Sequence, residues 1–269
     1  MSVAIQTSDH TVDTVNAKFT EEHIIHWRQW SPSLFSFRTT RHPGFRFTPG
    51  QFARLGLPSP EGVPVWRAYS IVSAPYDDFL EFYSILVPDG EFTPRLARLK
   101  KGDALLIDKT SFGFLTTDRF EDGSDLWMLA SGTGLAPFLS ILSDPDSWQR
   151  YEHLVLVHSA RHANELSYRD TLGSYARHPL IGELARRLRY VPVVTREAVH
   201  GALPARITTL LADGRLEAAA GRRLETSRSR IMVCGNPQMV DDLREQLGLR
   251  GFRVARRSTP GQMAFENYW

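Results

Sequence analysis

Four consecutive residues carry side chains with specific binding chemistry, namely Arg67-Ala68-Tyr69-Ser70. An arginine fork can clamp a pyrophosphate, a tyrosine ring can lie flat on a planar heterocycle, and a serine hydroxyl can bond to a ring nitrogen. In an extended strand Arg67 and Tyr69 point to the same face. One strand could therefore hold both ends of a flavin dinucleotide. The simpler interpretation is an exposed arginine beside a core tyrosine.

A second candidate anion site follows Glu81-Phe82-Tyr83, in the turn Gly90-Glu91-Phe92-Thr93-Pro94. We expect Thr93 to be the N-cap of a short helix and Pro94 to be its first residue. Leu96 and Leu99 then face inward until Gly102 ends the helix. The free amides at such a helix start suit a phosphate group. A simple capped helix with no ligand explains the same residues.

A glycine turn joins an apolar segment to a predicted helix, in the order Leu126–Ala130, Ser131-Gly132-Thr133-Gly134, Leu135-Ala136-Pro137. A strand, a glycine turn and a helix start let the backbone approach a dinucleotide pyrophosphate. Pro137 stands where a third glycine is usual. No lysine follows, which disfavours a nucleotide triphosphate loop. Tight packing of strand on helix is the alternative explanation of both glycines.

Three arginines follow predicted strand ends in the second half of the chain. Arg161 comes after the second parallel strand, Arg196 after the third, and Arg206 on the next segment. In this architecture an arginine near these ends accommodates a 2′-phosphate, whereas an acid accepts a ribose hydroxyl. Together the three could form a phosphate cage, although each alone is an ordinary solvated charge.

The last predicted strand ends at Cys234 and is followed by Gly235-Asn236-Pro237-Gln238, and the sequence ends in Tyr268-Trp269. A small polarizable thiol at the carboxyl end of a strand could lie against a nicotinamide ring, although a buried cysteine usually only packs. Terminal residues are rarely this aromatic. Stacking on a flat ligand and plugging of an apolar gap both explain the aromatic pair.

The order of elements predicts two domains in the 269 residues. Short strands at close spacing up to Leu115 favour an antiparallel barrel, predicted at 34–39, 51–57, 67–72 and 79–87. After Asp122-Gly123, strands alternate with amphipathic helices, which specifies a parallel α/β sheet. Its predicted strands are 126–130, 154–158, 190–194 and 231–234, and its helices 137–142, 164–177, 207–212 and 238–247.

Composition excludes several classes of protein. With 42% hydrophobic and 23% charged residues the chain can bury a core, and its single cysteine cannot form an intramolecular disulfide, a four-thiolate zinc site or an iron–sulfur cluster. A net charge of +2 does not indicate a nucleic-acid binder. No apolar run is long enough to cross a bilayer, and Met1–Lys18 does not look like a targeting signal. We therefore expect a soluble, cytoplasmic protein without a metal site.

Taken in order, these motifs resemble the ferredoxin–NADP reductase family, specifically its bacterial branch. The resemblance extends from about Phe19 to Trp269, and includes Val87-Pro88-Asp89-Gly90, Thr93-Pro94-Arg95-Leu96 and Cys234-Gly235-Asn236-Pro237-Gln238-Met239. It implies a tail at residues 1–18, a Greek-key FAD-binding barrel at 19–123, and an NADP-binding α/β domain at 124–269 whose C-terminal end returns to the flavin.

The resemblance also implies roles for individual residues. Arg67 and the amides of Glu91 to Thr93 hold the FAD pyrophosphate, Tyr69 and Tyr268 cover opposite faces of the isoalloxazine, and Trp269 stacks on the adenine. Ala68, Ser70, Tyr83 and Thr133 complete the expected FAD set. For NADP the expected residues are Arg161, Arg196, Arg206, Cys234, Asn236, Pro237, Gln238 and Asp242.

The implied chemistry is an exchange between a hydride of NADPH and single electrons for a ferredoxin or flavodoxin. Ser70 and Glu266 are the candidates for positioning and proton handling at the reacting edge, with the cofactor supplying the organic chemistry. A Tyr268 ring stacked on the flavin, as the resemblance implies, would occupy the place that nicotinamide needs and would have to move. Deleting Tyr268 and Trp269 should therefore change NADP affinity and the rate of hydride transfer.

Two other functions remain open at this stage. One is an NAD(P)H-dependent reductase component of an oxygenase, and the other is a non-catalytic flavoprotein subunit that relays electrons. Residues 124–269 carry 19 Lys and Arg against 15 Asp and Glu, so an acidic carrier is a plausible transient partner, with Lys100, Lys101, Arg256 and Arg257 as candidate contacts. We expect a monomer that binds neither nucleic acid nor membrane.

Overall fold

The computed structural model describes residues 18–58 and 63–267. In these ranges the first half forms an antiparallel sheet of six strands, in the order β4-β3-β6-β1-β2-β5. A backbone bridge between Ile71 and Phe82 brings the two edges together and nearly closes the sheet. The predicted barrel is confirmed. Its strands are β1 (Phe19–Gln29), β2 (Leu34–Thr40), β3 (Phe52–Leu57), β4 (Val65–Ser70), β5 (Phe79–Ile85) and β6 (Ala104–Asp108).

Strands β1 and β6 were not among the strands named from the sequence. Along β1 only Glu22 and Ile24 are buried, so the apolar alternation that reveals a strand is weak there. Its first residues pair with β6 and its last with β2, and the register with β2 shifts between Ile24 and His26. One long, bent strand therefore serves two neighbours.

The short helix α1 (Thr93–Leu96) differs from its prediction. Phe92 is the N-cap and Thr93 is the first helical residue, so the assignment of Thr93 as N-cap is wrong. The side chain of Thr93 bonds to the backbone of Val87 instead. The helix also ends after Leu96, well before Gly102. The Thr93 hydroxyl therefore closes the turn that precedes the helix and does not cap the helix itself.

The second half contains a parallel sheet in the order β11-β10-β7-β8-β9, which confirms the predicted α/β domain. Its strands are β7 (Asp125–Ser131), β8 (His153–Ala160), β9 (Leu188–Val194), β10 (Ser229–Gly235) and β11 (Met263–Asn267). Strand β11 was not predicted as a strand. It pairs with β10 from Met263 opposite Ile231 to Asn267 opposite Gly235, and so brings Asn267 to the carboxyl edge of the sheet.

The helices are α2 (Ala136–Ser143), α3 (Pro145–Arg150), α4 (Arg169–Ser174), α5 (Ile207–Ala212), α6 (Arg215–Ala220) and α7 (Pro237–Leu249). The continuous helix expected over 164–177 is wrong. There, α4 lies between 3-10 turns at 163–165 and 175–177. Tyr168, directly before α4, has a φ of 62°, so a continuous helix cannot pass through it. No helix in the described ranges combines the length and apolarity needed to cross a membrane.

Side chains of β7 alternate between two cores. Leu126, Met128 and Ala130 face a cluster that also contains residues of the barrel, including Val72 and Tyr83. Trp127 and Leu129 face a second cluster with α5, α6 and α7. The parallel sheet is therefore covered on both faces, as its continuous apolar strands require. One of these faces is packed partly against the barrel, which holds the two halves together.

Candidate functional site

A cleft of about 420 Å³ lies against β4, β5 and the turn that leads into α1. We call it the barrel cleft. Nine of the residues predicted to bind FAD line it: Arg67, Ala68, Tyr69, Ser70, Tyr83, Glu91, Phe92, Thr93 and Thr133. Thr133 and Asn267 are contributed by the parallel-sheet half. The structure thus gathers residues from three separate sequence motifs around one space.

Arg67 lies at the open side of the barrel cleft. Its Nη2 atom is 3.2 Å from Oε2 of Glu91, and both side chains are about half exposed. An exposed ion pair of this kind contributes at most about 1 kcal/mol. A pyrophosphate offers the guanidinium more charge and more acceptors, so it can displace Glu91 at little cost.

Tyr69 is held firmly in the cleft wall. Its ring contacts those of Phe37, Phe82 and Phe92, and its hydroxyl lies 3.1 Å from Oγ of Ser84. Burial raises the pKa of Tyr69 to about 12, so the hydroxyl stays protonated. Phe92 is itself buried, which leaves only its backbone for a ligand. The aromatic packing presets the orientation of Tyr69.

Ser70 and Glu266 meet although 196 residues separate them. Oγ of Ser70 donates a hydrogen bond to Oε1 of Glu266 at 3.2 Å. Burial raises the pKa of the Glu266 carboxyl to about 7, and the hydrogen bond from Ser70 opposes that rise. The pair brought together here is the one predicted for proton handling. A carboxyl with this pKa exchanges protons readily near neutral pH.

A second cleft, of about 310 Å³, lies at the carboxyl ends of β7, β8 and β10. We call it the sheet cleft. Thr133 and Ile85 line both clefts, so the two adjoin where the barrel meets the parallel sheet. Crevices at the carboxyl ends of parallel strands are where α/β sheets bind their ligands.

The glycines of the Ser131–Gly134 turn have different roles. Gly132 has a φ of 55°, a conformation that favours glycine, and a Cβ there would meet nothing within 4 Å. A Cβ on Gly134 would lie 2.2 Å from the carbonyl oxygen of Cys234. Close packing against β10 therefore explains Gly134, and only the Gly132 side of the turn is open to a ligand.

The three arginines of the predicted phosphate cage are brought together only in part. The amide of Arg196 donates to the carbonyl of Arg161 at 3.0 Å, which places these residues side by side, and Arg161 lines the sheet cleft. The guanidinium of Arg161 is already bound to Glu165, at 2.7 Å from Nη2 to Oε1. Arg206 is the exposed N-cap of α5 and does not line the cleft.

The remaining predicted NADP residues lie around the start of α7. Asn236 lines the sheet cleft and caps the helix, its Oδ1 accepting the amide of Met239. Gln238 donates to Asp242 at 2.7 Å, so the two side chains are bound to each other. Pro237 is the first residue of the helix. Cys234 is fully buried and does not line the cleft. A direct contact of Cys234 with nicotinamide stays a prediction.

Several residues around the clefts were not found from the sequence. Ser84 bonds to Tyr69, Glu165 binds Arg161, and Asn267 lines the barrel cleft. The alternation of β5 was a usable signal for Ser84, and the i,i+4 spacing was one for Glu165. Tyr268 and Trp269 lie outside the described residues. In the described part of the chain, no three His, Cys, Asp or Glu side chains group as metal ligands do.

Sequence comparison shows which known proteins this chain is similar to. Residues 128–245 match the family profile of the oxidoreductase NAD-binding domain. Ferredoxin–NADP reductase A of Sorangium cellulosum is 41% identical over 251 residues, covering 92% of this chain and 89% of the relative. Flavodoxin/ferredoxin–NADP reductase of Escherichia coli is 42% identical over 247 residues, covering 90% and 95%.

A solved structure extends this similarity to three dimensions. The crystal structure of a ferredoxin NADP+ reductase from Neisseria gonorrhoeae with bound FAD and NADP superposes with a TM-score of 0.87 at 40% identity. The superposition covers 94% of this chain and 100% of that one. With the barrel, the parallel sheet and two adjoining clefts in place, this chain belongs to the ferredoxin–NADP and flavodoxin–NADP reductase family.

Proposed function

We propose that this chain is an FAD-dependent oxidoreductase that exchanges a hydride of NADPH for single electrons delivered to a ferredoxin or flavodoxin. The observation that carries the proposal is the junction of the two clefts at Thr133 and Ile85. A flavin held in one cleft and a nicotinamide held in the other would meet at that junction. The oxygenase-reductase and electron-relay alternatives use the same barrel and sheet, so experiments must separate them.

The barrel cleft suits FAD by its chemistry. Arg67 would bind the pyrophosphate in place of Glu91, with the backbone of residues 91–93 beside it, and Tyr69 would cover one face of the isoalloxazine. Ala68, Ser70, Tyr83 and Thr133 line the same space. Bound there, FAD supplies the conversion between two-electron and one-electron transfer.

The sheet cleft suits NADP less completely. Arg161 and Arg196 would hold the 2′-phosphate after Arg161 exchanges Glu165 for it, and Asn236 would contact the dinucleotide from the end of β10. Arg206, Gln238 and Asp242 would join only after their side chains turn toward the ligand. The carboxyl of Glu266, steadied by Ser70, would hold or release the proton that balances the transfer.

Further parts of the proposal concern the setting of the enzyme. We propose a domain boundary near residue 123, a monomer, a cytoplasmic location and transient electrostatic binding of the carrier.

Tyr268 and Trp269 would cover FAD and make nicotinamide binding transient. A truncated chain lacking both residues should therefore bind NADP more tightly than the full chain, as measured by equilibrium titration, and unaltered affinity would refute this role.

The deciding experiment begins with the absorption spectrum of the purified chain. We expect flavin bands, bleaching with NADPH, and higher catalytic efficiency with NADPH than with NADH. Reduction of an artificial acceptor by the isolated chain distinguishes an enzyme from a relay subunit, which would be nearly inert alone. A colourless protein that takes up no FAD overturns the proposal. An equal efficiency with NADH points to the oxygenase-reductase alternative.

A further inference from the structure

Residues 167–168 of the sheet half reach into the barrel half and bind two residues of β5. Oγ of Ser167 accepts a hydrogen bond from the hydroxyl of Tyr83 at 2.9 Å. The hydroxyl of Tyr168 donates to Oε1 of Glu81 at 2.8 Å. Glu81 and Tyr83 are two positions apart on one strand, so they share a face. Two adjacent residues of one half therefore hold two same-face residues of the other.

The backbone of Tyr168 adopts an unfavourable conformation at this contact. Its φ of 62° makes it the one non-glycine residue with positive φ in the described ranges. Bulky residues rarely adopt this conformation, and it persists where surrounding contacts enforce it. Here the ring packs on Trp30 at 4.5 Å and edge-on to Tyr83 at 5.3 Å. The barrel contacts thus hold a strained residue in place.

The Glu81 carboxylate, which accepts the hydrogen bond of Tyr168, is also held by a second contact. Glu81 is buried, and its Oε2 accepts a hydrogen bond from Nε of Arg38 at 2.8 Å. Both carboxylate oxygens are therefore engaged, one by the barrel and one by the sheet half. A cavity of about 170 Å³ lies beside Glu81 and Tyr168. Tyr168 is itself buried beside this cavity, so its ring contacts and its hydroxyl hydrogen bond together set its position.

This contact is connected to the cofactor cleft through β5. Tyr83 lines the barrel cleft while its hydroxyl binds Ser167. Ser84 and Ile85, the next residues of the strand, line the cleft as well, and Ile85 also lines the sheet cleft. A change in how residues 167–168 sit on β5 therefore changes the junction where the two rings would meet.

We propose that Glu81, Tyr83, Ser167 and Tyr168 form an interdomain clasp whose members are positioning residues for hydride transfer, a role that rests on the proposed function. The clasp sets the sheet half on the barrel so that nicotinamide bound in one cleft reaches flavin bound in the other. Hydride transfer moves a proton with two electrons between the rings, and a misplacement of about 1 Å can cost roughly 100-fold in rate.

The chain offers a matched control in another interdomain tyrosine. The hydroxyl of Tyr76 in the barrel half donates to the carbonyl of Ser143 at 2.8 Å, but Tyr76 is 52% exposed and lines neither cleft. Tyr76→Phe removes an interdomain hydrogen bond of a tyrosine hydroxyl, as Tyr168→Phe does. It leaves β5 and its contacts with the clefts untouched.

The test compares the holoenzyme with its Tyr168→Phe, Glu81→Gln and Tyr76→Phe variants. We expect Tyr168→Phe and Glu81→Gln to keep the FAD content and the rate of flavin reduction by dithionite. Both should slow flavin reduction by NADPH at saturation by about 10- to 100-fold. They should also speed hydrogen exchange at residues 163–177, which is a readout independent of turnover. Tyr76→Phe should match the wild type in each measurement.

Two results would overturn the clasp: reduction by NADPH in Tyr168→Phe as fast as in Tyr76→Phe, or exchange at residues 163–177 no faster than in the wild type. If the double variant Glu81→Gln/Tyr168→Phe is no slower than either single variant, the two groups act as one unit, as the clasp requires. A wild type that NADPH fails to reduce refutes the proposed function, while the exchange data still decide whether the clasp exists.

Discussion

The barrel cleft and the sheet cleft are constructed differently. The barrel cleft is walled mainly by neighbouring residues of two strands and one turn, and the carboxylate that pairs with Arg67, Glu91, is exposed and weakly held. The sheet cleft is built from the ends of separate strands. Its arginine nearest the space, Arg161, is bound by a carboxylate that is only 12% exposed. The first cleft has only a weak, exposed ion pair to exchange for its ligand, whereas the second must exchange a more buried one.

This difference suits a reaction in which one ligand stays and the other leaves. A permanently bound cofactor binds more tightly to a wall whose side chains are already fixed, such as the packed ring of Tyr69, because few side chains lose conformational freedom on binding. A substrate that must dissociate after every turnover gains from competing internal contacts such as Glu165 on Arg161. The comparison predicts that substitutions in the barrel cleft affect cofactor retention and that those in the sheet cleft affect coenzyme choice.

The largest effect should come from filling the close contact behind the sheet cleft. In Gly134→Ala the new Cβ would lie 2.2 Å from the Cys234 carbonyl oxygen, so strand and turn must separate. We expect a loss of about 3 kcal/mol, the upper end for overpacking, and a lower Tm by calorimetry. The control Gly248→Ala lies in α7, where a Cβ meets nothing within 4 Å. A Tm of Gly134→Ala equal to that of this control would remove the packing role.

Arg67→Ala should give the next largest effect, by weakening FAD. Losing a charge-assisted contact to phosphate costs about 2 kcal/mol, which is roughly a 30-fold rise in the dissociation constant. Fluorescence titration of the flavin-free protein with FAD measures it. Arg54→Ala is the control, since Arg54 lies on neighbouring β3 with a similarly exposed side chain but outside the cleft. Equal losses in both variants would contradict a specific phosphate contact.

Arg161→Ala should have a smaller effect, because Glu165 already neutralises part of its charge. We expect about a tenfold loss of preference for NADPH over NADH, with FAD affinity unchanged. Catalytic efficiencies with the two coenzymes measure the preference. Arg223→Ala, an exposed arginine that precedes β10 rather than following a strand, is the control. A variant that retains the full preference would leave Arg161 without a role in coenzyme choice.

Glu266→Gln should have the smallest effect, a change in how the stability of the fold depends on pH. Burial raises the pKa of Glu266 from its ordinary 4.5 to about 7 in the folded chain, so protonation favours the fold. That stabilising contribution is complete below pH 4.5 and is lost as the pH rises through about 7. Thermal unfolding from pH 4 to 8 should show this loss in the wild type but not in the variant. Parallel curves would contradict the raised pKa.

Much of the fold and of the barrel cleft could be predicted from the sequence. The alternation of a strand is enough to place Arg67 and Tyr69 on one face, and the apolar strands of the second half indicate a covered parallel sheet. The arginine cage was harder to predict. Its members follow different strands, and although the i,i+4 spacing indicates that Glu165 pairs with Arg161, no local pattern indicates that Arg206 lies outside the cleft.

The sequence by itself determined the features whose signal is local: the barrel and sheet halves, the glycine turn and nine of the residues that line the barrel cleft. Only the tertiary structure decided that Tyr168 would bind Glu81, that Glu266 would meet Ser70, and that β11 would pair with β10 at the edge of the sheet. The physical reason is distance along the chain. Contacts between residues 87 or 196 positions apart depend on how whole elements pack, and no local pattern encodes that packing.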